Sequence, residues 1–145
     1  MANLLRNSSR PAITVQETST VLEAVKTMVK ERIGAVVVMK GKKMTGIFSE
    51  RDVLDKIVLA RRDPAKTPIS AVMTADVLSI PAPGDEAAAA EKMSANHIRH
   101  LPILDARKKV VGMVSLRHVM EERIADLEHE VNVLEAYLGY DGVSG

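Results

Sequence analysis

The sequence predicts a mixed α/β (α+β) protein: two copies of a β-α-β-β-α unit packed with pseudo-twofold symmetry, plus an extended C-terminal helix. Three observations predict it. The phrase GIFSERD (46–52) returns as GMVSLRH (112–118). Strand-like and helix-like apolar patterns follow one another in the same order in both halves. The last helical pattern then runs on past the second unit with a seven-residue repeat.

The repeat reaches well beyond that phrase. With a shift of 65, Ala24 falls on Ala89, Met28 on Met93, Ile33 on Ile98, and VVVM (36–39) on LPIL (101–104). The turn ARKK (106–109) is one residue longer than GKK (41–43), so the offset becomes 66. Gly46, Ser49, Arg51 and Val53 then meet Gly112, Ser115, Arg117 and Val119. This sets repeat 1 at 12–60, a polar linker with two prolines at 61–70, repeat 2 at 71–124 and a heptad helix at 120–139. Two copies are too few for a solenoid and suit a pair sharing one core.

Each element has its local reason. AITV (12–15) and VLSI (77–80) read as short strands. A helix opens at Thr20, with Glu23 three residues on as a capping box, and Val21, Ala24, Val25, Met28 and Val29 share one face. Asp85 is the matching N-cap in the second copy, before a run of alanines. GAVVVM and MTGIF form a strand pair over a basic turn, as do HLPIL and VVGMV. The unbroken apolar run 35–39 predicts a strand covered on both faces. A second helix begins after Ser49 and again after Ser115. In the tail, Met120, Ile124, Leu127, Val131, Leu134 and Leu138 are spaced four, three, four, three, four, with acidic residues off the seam. That pattern predicts either a helix pair between two chains or an amphipathic helix folded over its own module.

Composition limits the function. Of 145 residues 46% are hydrophobic but only 2% aromatic, so the core is aliphatic. A net charge of +1 gives no general attraction to nucleic acid or anionic membranes, and without aromatic platforms single-stranded nucleic acid is a poor fit. No cysteine is present, which removes disulfides and thiolate chemistry. The start MANLLRNSSRP has no apolar run of signal-peptide length, and no later stretch suits a bilayer span, so a soluble cytoplasmic protein is expected. No catalytic constellation, Walker loop or GxGxxG is found, so no enzyme, catalytic residue or catalytic cofactor is expected. His97 and His100 form H-x-x-H without a third ligand, and no metal is assigned.

GIFSERD, GMVSLRH, IRHLPILD (98–105) and AVMT (71–74), repeated in this order, resemble a tandem pair of CBS domains (named for cystathionine β-synthase), the arrangement called a Bateman module. The resemblance covers most of the chain. It implies clefts between the copies that take an adenosine-containing ligand such as AMP, ADP, ATP or NAD(H), and a regulatory role. It also favours a homodimer, which supports the first reading of the tail, and leaves the regulated protein partner unnamed.

Residue chemistry supports one such cleft. Asp52, in the first turn of a helix, can accept from both hydroxyls of a ribose. Ser49 stands at the helix mouth beside free backbone N–H groups, and Gly46 lets a ligand or neighbouring strand come close. The same Ser-x-x-Asp frame also serves as a helix cap. Arg99 and His100 precede a buried strand and could hold a phosphate, although Arg99 as a solvated charge is the plainer alternative. The resemblance places Ser49 and Asp52 opposite Val77, Arg99, His100 and Pro102, with Ile47 and Val77 as walls for the adenine. The related cleft would use Ser115 and His118 opposite Ala12, Gly34 and Ala35. There the aspartate has become histidine and both cations are replaced, so it is expected to be empty or to take another ligand. A structural protein with vestigial pockets, assembled through its tail, is the rival reading.

Overall fold

The computed structural model describes residues 9–139. Most of the opening segment, on which the absence of a signal peptide was argued, lies outside the described residues, as do residues 140–145. The elements run β1 (Ser9–Arg10), β2 (Thr14–Gln16), α1 (Val21–Glu31), β3 (Ala35–Lys40), β4 (Lys43–Ser49), α2 (Glu50–Asp52), β5 (Ile80–Pro81), α3 (Glu86–Ala95), β6 (His100–Leu104), β7 (Val110–Ser115) and α4 (Leu116–Leu138). Helix α2 continues as a π-turn over Val53–Val58. This is the mixed α/β architecture read from the sequence, with the long C-terminal helix in place.

The local signals form as their chemistry requires. At the start of α1 the Thr20 N–H donates to Glu23 Oε1 (2.9 Å) while the Glu23 N–H donates to Thr20 Oγ1 (3.2 Å), satisfying two donors that the helix itself leaves open. Those bonds hold the Glu23 carboxyl below its ordinary range. Asp85 caps α3 by accepting from the Ala88 N–H. On α1, Val21, Ala24 and Met28 are buried and Val25 is half-buried, but Val29 is largely exposed, so the apolar stripe is narrower than the sequence suggested. Ala35, Val36, Val37 and Val38 are all buried in β3.

Two sheets form: β2-β3-β4, and β1-β7-β6-β5. In both, a parallel strand enters beside the central strand and an antiparallel hairpin leaves it. The hairpins carry the same register break, between Val38 and Met39 and between Ile103 and Leu104. The repeat is therefore conserved down to an irregularity of the ladder.

The entering strands differ from expectation. VLSI contributes only Ile80 to β5. In the first sheet the Val37 N–H donates to the Ile13 carbonyl (2.9 Å). A shift of 65 puts Pro102 in the place of Val37, and proline has no N–H to give to Leu78. The second ladder therefore starts one residue later than the first, at Ile80 opposite Ile103.

The extra strand β1 was not foreseen. It pairs antiparallel with β7, Ser9 opposite Val114 and Arg10 opposite Met113, so the first described residues lie on the sheet of the second unit. The reverse exchange occurs where the chain enters the second unit. The Ile47 N–H donates to the Thr74 carbonyl (3.0 Å), and the Thr74 N–H donates back to Ile47 (2.9 Å). A Cβ on Gly46 would lie 2.5 Å from Met73 Sδ and 2.9 Å from the Thr74 carbonyl, so this crossing needs glycine.

A single shared core was expected, but the buried side chains form three clusters. One contains Val21, Val36, Phe48 and Ile69 of the first unit, and one contains Met93, Leu101, Val114 and Val119 of the second. The third joins the sheets through Ala35, Val37 and Met113, with Ile47 packed against it. Proline 102 hides its ring within the second sheet. The linker is packed too: the Val21 N–H donates to Thr67 and the Ile69 N–H to Ser19, which seats it on the start of α1.

Helix α4 stands away from the body. Val119 is buried, but Met120, Ile124, Leu127, Val131, Leu134 and Leu138 are each more than half exposed. The reading of the tail as a helix folded over its own module does not hold for these residues. Gly139 ends the helix in a left-handed conformation (φ 74°). Among the described residues, no helix is long and apolar enough to cross a membrane.

Candidate functional site

The two Ser-led helix starts use one frame in two ways. At α2 the Asp52 carboxylate folds back: Oδ2 accepts from the Ser49 N–H (2.9 Å) and Oγ (3.3 Å). Its Oδ1 faces Lys56 Nζ at 3.1 Å, and the same ammonium donates to the Val72 carbonyl (2.9 Å). Asp52 is thus tied to the segment that enters the second unit. At α4 the polarity is reversed: Ser115 Oγ accepts from the His118 N–H (3.2 Å) and lies 2.8 Å from His118 Nδ1.

A cavity of about 780 Å³ opens where the two units meet. One wall comes from α1, with Met28, Val29 and Arg32. Gly34 and Ala35 bring in the start of β3, and Glu50, Val53 and Leu54 the helix that carries Asp52. The second unit supplies Arg99 and His100 before and at the start of β6, Met113 and Ser115 from β7, and Arg117 and His118 from α4. Its volume suits a small organic ligand. Its lining mixes aliphatic side chains with Arg32, Arg99, Arg117, His100, His118 and Glu50.

His100 is the hinge of this arrangement. A Cβ on Gly34 would lie 3.0 Å from two atoms of the His100 ring and 2.6 Å from Glu50 Oε1. The missing side chain at Gly34 is what lets the imidazole and the carboxylate share that space. Burial pushes the His100 imidazole below its ordinary value, Glu50 pulls it up, and Arg99 and His118 push it down again. Near neutral pH the ring is uncharged, one nitrogen donating and the other accepting.

The residues singled out in the sequence fall into three groups. Arg99 and His100 line the cavity. Ser49 and Asp52 are bonded to each other on the helix whose neighbouring residues Glu50 and Val53 line it. Ile47, Val77 and Pro102 lie apart from that wall. Ile47 is half-buried and paired to Thr74, Val77 is half-buried before β5, and Pro102 is buried opposite Met113. The cavity's lining does not include Ser49 or Asp52 themselves.

The related cleft is where the cavity opens, since Gly34, Ala35, Ser115 and His118 all line it. Pro11 and Ile13 do so in place of their neighbour Ala12. It was expected to lack cations, and that expectation is corrected: Arg32, Arg99, His100 and Arg117 border it. The reason is geometric. Arg99 and His100 enter the same cavity as Ser115 and His118, and Gly34 leaves room for the His100 ring.

Arg32, Glu50, Lys56 and Arg117 were not assigned from the sequence. Arg32 carried a usable signal, because it is the left-handed residue ending α1 (φ 56°) and its counterpart at an offset of 65, His97, is left-handed too (φ 55°). Lys56 stands four residues after Asp52 on a helical face, a spacing that predicts the ion pair.

The family model described as CBS domain matches residues 5–59 and 69–125. The chain is 32% identical over 124 residues to the CBS domain-containing protein CBSX3, mitochondrial, of Arabidopsis thaliana, a match that covers 82% of this chain and 60% of that protein. It spans about a fifth of the length of some longer relatives. Among solved structures, a protein with CBS domains from Burkholderia ambifaria superposes with a TM-score of 0.76 at 33% identity, covering 81% of this chain and 85% of the other. A CBS domain protein from Pyrobaculum aerophilum, complexed with AMP, gives 0.74 at 30% identity over 82% and 91%.

Proposed function

Since this chain belongs to the CBS-domain family, carrying two copies of the domain, we propose that it is a regulatory module that binds an adenosine-containing ligand between its repeats, as a homodimer, and so modulates a partner protein. The observation that carries this reading is the cavity at the junction of the two units, bordered by Arg99 and His100 and by the helix that bears Asp52. The AMP bound in the Pyrobaculum relative supports the ligand class.

In this reading the ribose binds Asp52 and the phosphate lies toward Arg99 and His100. A carboxylate offers about four acceptor positions. Ser49 and Lys56 take three of them. A ribose diol would use the open position and displace the long 3.3 Å contact from Ser49 Oγ. Ile47 and Val77, which lie outside the lining of the 780 Å³ cavity, would supply the aliphatic contacts to the base on the Asp52 side. His100, whose burial favours the neutral ring, would take up a proton as a phosphate arrives beside it. ATP, ADP and NAD(H) fit the same logic as AMP, and no catalytic cofactor is needed.

The test has two parts. Nucleotide released from the purified protein by denaturation should be detected by mass spectrometry. In calorimetric titration Asp52→Ala should weaken AMP binding by about 1–3 kcal/mol, the scale of lost charge-assisted hydrogen bonds, and His118→Ala much less. Equal losses would show that the ribose does not sit on Asp52. No bound nucleotide and no binding by the wild type would favour the structural, tail-assembled reading.

A further inference from the structure

The exposed seam of α4 has a residue pattern that specifies its occupant. With Ile124, Val131 and Leu138 at the a positions, Met120, Leu127 and Leu134 fall at d. Five of the six are branched aliphatics, each more than half exposed, and the stripe runs along one side of a 23-residue helix. β-Branched residues at a with leucine at d favour two parallel strands, because each then packs its knobs into the partner's holes at the preferred angle. Ile124 and Val131 at a, with Leu127 and Leu134 at d, meet that rule.

The flanking charges choose the same direction. The e positions are Glu121, Glu128 and Glu135, and the g positions are Arg123, Glu130 and Tyr137. In a parallel pair g faces e of the next heptad. Arg123 then meets the partner's Glu128 on both sides, while Glu130 opposes the partner's Glu135. In an antiparallel pair e faces e, which sets glutamate against glutamate along the whole flank. One heptad further toward the N-terminus, the a position is Arg117, which lines the cavity. The apolar seam therefore begins where the ligand cavity ends.

We infer that α4 pairs with α4 of a second copy as a parallel, in-register, two-stranded coiled coil over Met120–Leu138, holding the two ligand cavities at the same end of the coil. The inference rests on the homodimer reading and gives it a direction. An unbroken helix joins the cavity residues Arg117 and His118 to the seam, so the orientation of the first turn of α4 sets the orientation of the coil.

The chain has no cysteine, so single-cysteine variants report geometry directly. In the parallel coil Ile124→Cys and Leu134→Cys should each, alone, oxidise to a covalent dimer. A disulfide needs Cα atoms within about 7 Å. In the antiparallel coil that pairs a with d, equivalent positions would be about 15 Å apart along the axis. There neither variant would self-link, but a mixture of the two would. Sedimentation of the wild type separates the two levels of the inference. A monomer would overturn both the homodimer and the coil. A dimer in which neither variant cross-links would leave the homodimer standing and overturn the coil, as would capture of the tail by a different protein without self-linking. A further variant checks direction without cysteine: Glu130→Lys should tighten dimerisation several-fold by facing the partner's Glu135. No gain would contradict the parallel arrangement.

Discussion

His100 combines more constraints than any other side chain of the cavity. It is set by a strand start, admitted by Gly34, and surrounded by Glu50, Arg99 and His118. Its imidazole is held below 6.5, chiefly by burial. The sign follows from linkage: the unfolded chain takes up this proton at a higher pH than the folded one. The contribution to stability is full above about pH 6.5 and is lost as pH falls through the lower folded-state value. Thermal melts from about pH 5 to about pH 8 should show a steeper acid-side loss for the wild type than for His100→Gln. Parallel profiles would mean that His100 is not buried in its neutral form. The pair at 99–100 was legible as a site because two basic residues head a buried strand. That it lines the cavity of Ser115 and His118 was not, because this depends on what Gly34 lacks, and an absence has no motif.

Among elements, those with local causes were readable and those with distant causes were not. The α1 capping box, the Asp85 cap, the buried β3 run and the span of α4 each follow from neighbours within a few residues. The shortened β5 follows from Pro102, more than twenty residues away, which withdraws one donor from a ladder. The exchange of strands between the units depends on backbone pairing that leaves only Gly46 as a trace. That trace is testable. In Gly46→Ala the new Cβ would meet the Thr74 carbonyl at 2.9 Å, and backbone cannot turn aside as a side chain can. A loss of about 1–3 kcal/mol in denaturant unfolding is expected, the scale of overpacking. Gly34→Ala meets only side-chain ends of Glu50 and His100, so it should cost less stability and more ligand affinity. If the two variants were equally unstable, the crossing at Thr74 would not be the tight contact described.

For the molecule as a whole, the repeat, the order of elements and the family were legible because they are carried by two copies of one pattern. The position of the open cavity was not. The sequence pointed to the cleft that holds Asp52, and the structure opens a cavity of about 780 Å³ on the side of Ser115 and His118, with Arg99 and His100 in its lining. The two positions belong to one system when a phosphate held by Arg99 and His100 lies within reach of a ribose on Asp52. Calorimetric titration of AMP and of adenosine into the wild type and Arg99→Ala tests it directly. The account predicts that Arg99→Ala weakens AMP far more than adenosine, and that added salt weakens AMP in the wild type, since charges near the surface are screened over about 10 Å at 0.1 M. Equal weakening of the two ligands would contradict it, because Arg99 would then not be holding the phosphate.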